Sequence, residues 1–271
     1  MQGLKFRYSA VNPDAPVAYC SFPAMHTEVE VLFVSNDEAR SKEAAQRVQE
    51  CAISLERSLS RHIEGSPLHR LNSVSGFTDV DDELFFSLEL CDNLRKASCN
   101  YFDIAALSPT RERPAYRFAA SEHKVARTSP EVLLDFGGFA KGYAAEKIRK
   151  LLCDEEGVAN ALVNMGNSTV LGIGHHPLGD CWKVSPAGHK EMNFELNDSA
   201  LSVSGISPDG RRHIVDPVTM TCPQKDGTVI VTGRSALICE ILSTALYAAP
   251  VEMHNKILEN FPAYKAGVIA I

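Results

Sequence analysis

Several signatures that would assign this chain at once are missing from it. The 271 residues contain no CxxC pair and no histidine at finger spacing from a cysteine, which argues against a structural zinc site. No window approaches the ~20 apolar residues that span a bilayer. The opening run MQGLKFRYSAVNPDAP has neither the apolar core of a signal peptide nor a lipid-anchor cysteine after one. Basic residues are too few for a polyphosphate partner: 27 Lys+Arg against 34 Asp+Glu leave a formal charge of -7, without a basic cluster, so a nucleic-acid partner is not expected. Repeats and low-complexity tracts are absent as well. What remains is 45% hydrophobic and 23% charged residues, the balance of a soluble globule with a buried core. The length allows one large domain or two closely packed ones. Eight cysteines lie mostly in apolar stretches, so reduced thiols and a cytoplasmic location are expected.

Periodicity divides the chain. Val17 to Val34 reads as a hairpin at a sheet edge, broken at Pro23-Ala24-Met25. Ser41–Arg61 and Asp82–Ala97 read as amphipathic helices, and the segment SRHIEGSPLHRLNS between them as a polar loop too mixed for a core. After Asp103 the pattern is irregular, until Val132-Leu133-Leu134 forms a short strand leading through Gly137-Gly138 to a helix from about Ala140 to Leu152. Strands follow over 161–164, 169–173, 182–184, 192–196, 200–204 and 228–232, then a helix over 235–248 and a closing strand over 266–271. Runs of strands with a few long helices indicate an α+β fold.

Four segments carry groups suited to chemistry. DFGGFAKGYA sets Asp135, two glycines and Lys141 at the mouth of a helix, where free N–H groups and an ammonium suit a phosphate; a plain glycine turn capped by Asp135 fits equally. GxGxxG is absent there. VNMGNS is a second glycine bend, between two strands. HIVDP offers His213 as a general base with Asp216 near enough in sequence to orient the ring, or simply a surface histidine in a turn. The adjacent Arg211-Arg212 pair reads as solvated charge. In SALICEILSTALYAAP, Glu240 and Thr244 share one helix face. A carboxylate in so apolar a helix needs a partner, either a hard cation such as Mg²⁺ or a lysine from elsewhere.

Together and in this order the segments resemble the FAD:protein FMN transferase family, the ApbE-type flavin transferases, from about Met25 onward. Met25-His26-Thr27, Glu56 with Ser60 and SPLHRLN, Phe102-Asp103, DFGGFAKGYA, VNMGNS, VSG, HIVDP and the Glu240–Leu246 helix carry the resemblance. It implies one flavin-transferase domain over 1–271, with a mixed or antiparallel sheet core and several long helices, related to the T-fold. It also implies flavin contacts from Met25, His62, Tyr101, Phe102, Asp103, Asp135, Lys141 and Ile214. Mg²⁺ would be held by Gly138, Glu240 and Thr244, with Ser243 nearby, and His213 would be the base. The implied reaction moves FMN from FAD to a threonine or serine hydroxyl of an acceptor protein and releases AMP. A flavin-binding protein without turnover, or a Mg²⁺-dependent FAD pyrophosphatase, are the alternatives.

The chain departs from that family at identifiable points. Glu240 stands where aspartate is usual, His62 where an aromatic tyrosine is common, and Asn167-Ser168 where Gly-Asp is frequent. The stretch from Asp103 to Asp135 is short and lacks a Trp-Gly-Phe-like segment, the single tryptophan being Trp182.

Overall fold

The computed structural model describes residues 3–110, 113–119, 122–186, 191–206, 210 and 212–269. In chain order the elements are β1 (Lys5–Ser9), β2 (Val17–Ala24), β3 (Thr27–Val34), α1 (Glu38–Leu59), α2 (Pro67–Ser73), β4 (Thr78–Asp79), α3 (Asp82–Ala97), β5 (Tyr116–Ala119) and β6 (Lys124–Arg127). They continue with α4 (Ala140–Lys150), a π turn (Leu151–Glu155), β7 (Ala161–Met165), β8 (Thr169–Ile173), β9 (Trp182–Val184), β10 (Phe194–Leu196), β11 (Ser199–Gly205) and β12 (Thr228–Gly233). After α5 (Ala236–Ala248) come a short 3₁₀ turn, α6 (His254–Leu258) and β13 (Lys265–Ile269).

An eight-stranded sheet in the order β1-β2-β3-β7-β8-β11-β12-β13 forms the frame, and every ladder in it is antiparallel. Its two faces follow from period-two alternation. Ala18, Cys20 and Phe22 of β2, Val29, Val31 and Phe33 of β3, Val163 and Met165 of β7, and Val229 and Val231 of β12 face the helices and join the main core. Val170, Leu201 and Ile230 point the other way, into a smaller cluster closed by Trp182 and Leu196 of the β9–β10 hairpin. Trp182 therefore sits on the sheet face opposite the main core, where its indole N–H donates to the Ile173 carbonyl at 3.0 Å.

Side chains set the helix starts. Asp37, Ser66, Asp81 and Ser235 accept backbone N–H bonds as N-caps of α1, α2, α3 and α5. The helix α5 is apolar on all sides because it lies between the sheet and α4; eleven of its residues are buried, Glu240, Ser243 and Cys239 among them.

Three sequence expectations are corrected. The Val17–Val34 hairpin is interior, because β1 pairs with β2 outside it. The polar segment after α1 contains α2, whose Leu68 and Leu71 are fully buried, each worth roughly 2 kcal/mol of apolar burial. Val132-Leu133-Leu134 is extended without a sheet partner; instead Leu134 is pinned by Asn72, which donates to its carbonyl and accepts its N–H, each at 2.9 Å.

Candidate active site

Local chemistry builds the site at one end of the sheet. The β2–β3 hairpin turns through Met25 and His26, both in the left-handed region at φ 54° and 58°. For residues other than glycine this costs about 1–2 kcal/mol each. Glu56 of α1 holds the turn by accepting the Met25 N–H at 2.9 Å. The β7–β8 hairpin turns through Gly166 and Asn167, at φ 65° and 59°. A Cβ on Gly166 would collide with Thr27, so the two hairpin tips nest only with glycine there. Asn167 tolerates the left-handed region because Asn164 binds both its N–H and its side-chain oxygen, each at 2.9 Å. Ahead of α4, Asp135 accepts the Gly137 N–H at 2.7 Å and ion-pairs with Arg61. It thus caps the glycine turn, while the N-cap position of α4 belongs to Phe139 and has no side-chain bond.

A cavity of about 600 Å³ opens between these tips and α5. Met25, Tyr101, Phe102, Asp103, Asp135, Gly138, Lys141, His213, Ile214, Glu240 and Thr244 all line it. His62 does not; it lines an adjoining cavity of about 130 Å³ that shares Met25, Asp135 and Lys141, and its ring meets His26 edge-on at 5.6 Å. The volume lies in the range of small-molecule and cofactor sites.

Charge in the site is balanced pair by pair. Asp103, with a side chain 4% exposed, binds Arg113 and accepts the Ala105 N–H at 2.8 Å. Asp135 binds Arg61. The Glu240 carboxylate, also 4% exposed, has Lys141 Nζ at 3.1 Å on Oε1 and the Gly142 N–H on Oε2. Of the two partners the sequence left open for Glu240, the lysine is the one in contact. Burial raises the Tyr101 phenol above its ordinary range, with Asp216 adding to the effect, so it stays protonated near neutrality.

Hydroxyls of Thr169, Ser202, Ser204 and Thr244 line another part of the cavity. Thr169 and Ser202 are 3.1 Å apart, Ser202 and Ser243 3.2 Å, Ser243 and Ser204 2.9 Å, and Ser204 and Thr244 3.4 Å. With Ser243 donating to the Glu240 carbonyl at 3.0 Å, Ser204 donates to Ser243 and accepts from Thr244. The lone pairs of Thr244 are then left for the cavity. Sequence reading missed this ladder, although Ser202 and Ser204 recur two apart in β11 and so share one face of the strand.

The His213 segment is fixed differently from what the sequence suggests. Arg212 is no solvated charge: its guanidinium donates to the carbonyls of Pro223 at 3.0 Å and Lys225 at 2.8 Å and pairs with Asp226 at 2.7 Å. Arg211 lies outside the described residues. Lys225 in turn donates to the Leu246 and Ala249 carbonyls at the end of α5, at 3.3 and 2.9 Å, and its burial there pulls its pKa down. Asp216 spends both carboxylate oxygens on its own turn, accepting from Val218 N–H at 2.8 Å and the Thr219 hydroxyl at 2.9 Å. It thereby shapes the bend that follows His213. His213 itself is exposed on the cavity rim, and Ile214 is buried behind it.

The α4–α5 contact that positions Lys141 and Glu240 depends on Gly142. A Cβ there would stand 2.6 Å from the Ala236 carbonyl and 2.8 Å from the Leu237 Cα, both backbone atoms that cannot step aside. Gly142→Ala is expected to cost about 1–3 kcal/mol, measured by denaturant unfolding. A wild-type midpoint would contradict the close packing.

Known proteins with this architecture carry informative names. A model of the ApbE family matches residues 25–268. The structure titled flavin transferase ApbE from Vibrio cholerae aligns with a TM-score of 0.79 at 19% identity, covering 94% of each chain. An ApbE protein from Thermotoga maritima aligns at 0.80 and 20% identity, over 97% of this chain and 94% of that one. The apo flavinyl transferase ApbE of Pseudomonas stutzeri aligns at 0.81 and 20%, over 95% and 92%. No curated protein matches. With the family model running from Met25 at the first hairpin tip through the cavity segments and α5 to Val268, most of the chain, the chain belongs to the ApbE family.

Proposed function

We propose that this protein is a flavin transferase that moves FMN from FAD to a threonine or serine hydroxyl of an acceptor protein, with AMP as the leaving group. One observation carries the reading: a single cavity gathers the glycine turn before α4, the Glu240–Thr244 face of α5 and His213, three stretches far apart in sequence. The flavin and adenine ends of FAD would lie along Met25, Tyr101, Phe102 and Ile214, with His62 in the side cavity. His213 at the rim would take the proton from the acceptor hydroxyl, whose oxygen attacks the FMN-side phosphorus as the bond to the AMP-side bridging oxygen breaks. Asp103, already satisfied by Arg113, would hold the Tyr101–Phe102 wall in shape and not touch the flavin through its carboxylate.

The cavity's charge supports a divalent ion. Asp103, Asp135 and Glu240 are offset one for one by Arg113, Arg61 and Lys141, so among the described residues no surplus positive charge faces a diphosphate. A dianionic diphosphate needs two more positive charges. The oxygen donors fit such an ion: the buried Glu240 carboxylate, the Thr244 hydroxyl with its lone pairs left open, and Gly138, packed so near that a Cβ would be 3.1 Å from Thr244 Oγ1. Bound there, Mg²⁺ would offset the charge that builds on the diphosphate during displacement.

The test is AMP release from FAD with Mg²⁺, with and without an acceptor carrying a flavinylation motif. The transferase releases AMP only when acceptor is present. Release without acceptor would make the protein an FAD pyrophosphatase, and FAD binding with no AMP in either case would make it a flavin-binding protein without turnover.

A further inference from the structure

The cation place beside Glu240 is filled by the protein itself. Lys141 Nζ lies 3.1 Å from Glu240 Oε1 and 3.5 Å from the Gly137 carbonyl, the neighbour of Gly138. The other Glu240 oxygen is held by the Gly142 N–H, so the carboxylate is anchored to α4 from one side and neutralised from the other. Its side chain is 4% exposed, whereas that of Lys141 is 24% exposed and sits on the cavity side of the pair. Anchored acid and partly solvated base are not equally free to move. The carboxylate cannot turn away without abandoning a buried N–H, while the ammonium can swing on its four-carbon stem into the cavity.

We propose that Lys141 is a displaceable counter-ion: a divalent cation that takes Glu240 evicts the ammonium, which then pairs with the diphosphate of the bound dinucleotide. The proposal rests on the cation-site reading above and adds to it a mechanism for ordered loading. A divalent cation on the same Glu240 oxygen would stand at contact distance from the ammonium and repel it, and with Oε2 already taken by the Gly142 N–H the ammonium is the group that can leave. The ion alone therefore binds against the cost of freeing Lys141. When a diphosphate is present the released ammonium gains an anionic partner, so ion and dinucleotide bind with positive coupling, and the coupling is reciprocal. The exchange also explains how one lysine serves two partners without leaving Glu240 uncompensated at any stage.

The experiment measures Mn²⁺ binding by electron paramagnetic resonance, with and without FAD, on the full chain and on Lys141→Met. Without FAD the variant should bind Mn²⁺ about tenfold more tightly than wild type, since the resident competitor is gone. FAD should tighten Mn²⁺ binding less in the variant than in wild type. Lys141→Gln, which is also neutral but can still donate to Glu240, should shift the affinity the same way and decides the matter if the methionine variant does not fold. Equal or weaker Mn²⁺ binding by the variants would overturn the exchange while leaving the cation site standing. Failure of all three proteins to bind Mn²⁺ beyond what FAD binds in buffer would overturn the site reading and the exchange with it.

Discussion

His213→Ala should abolish FMN transfer while FAD remains bound. Loss of a positioned base lowers rate by about 10²–10⁴-fold. The fold should barely notice, because the ring is exposed and its segment is secured by its neighbours: Arg212 on the Pro223 and Lys225 carbonyls, Lys225 on the end of α5, and Ile214 in the core. Exposed substitutions of this kind stay within about 0.5 kcal/mol. The measurement is single-turnover transfer to an acceptor together with an FAD binding isotherm. Unchanged transfer would mean that another group takes the hydroxyl proton, and weakened FAD binding would mean that the ring is a ligand contact.

Glu240→Ala has the largest expected effect on stability. The carboxylate is the acceptor for the Gly142 N–H inside the α4–α5 interface and the counter-charge for Lys141. Removing one partner of a buried pair costs about 3–5 kcal/mol, and partial exposure of Lys141 puts the value near the lower end. For a chain of this size that lowers the melting temperature by roughly 6–12 °C. Mg²⁺ and FAD together should raise the melting temperature of the wild type and leave the variant's unchanged. An alanine variant that melts with the wild type, or that still responds to Mg²⁺, would contradict the role given to this side chain.

Much of the frame is legible in the residues. The stripe Leu84, Phe85, Leu88, Cys91 and Leu94 defines α3 from Asp82 to Ala97, and the structure keeps both ends. The strands over 169–173 and 182–184 also stand where alternation puts them. β1 escapes because KFRYS is an exposed edge whose alternation is only between exposed and half-buried positions. α2 escapes because seven residues give two buried leucines, too short a stripe for periodicity; Ser66-Pro67, a cap followed by proline, is the signal that marks its start.

The site divides in the same way. Residue types at short spacing, such as Gly137-Gly138 before α4 or Glu240 and Thr244 on one helix face, reveal its parts. Pairings across the fold do not show in sequence: Asp103 with Arg113, Asp135 with Arg61 and Glu240 with Lys141 depend on how hairpin tips and helices meet. That is why the Arg113 pairing of Asp103 does not show in the sequence, and why Arg212 reads as surface charge when it ties a loop together.

What becomes of the acceptor decides whether FMN transfer is the reaction. Intact-mass and fragment analysis of a threonine-bearing acceptor, incubated with the protein, FAD and Mg²⁺, should show one FMN joined through a phosphoester to the hydroxyl, with one AMP freed per adduct. An unmodified acceptor beside FAD that is bound or hydrolysed would contradict it.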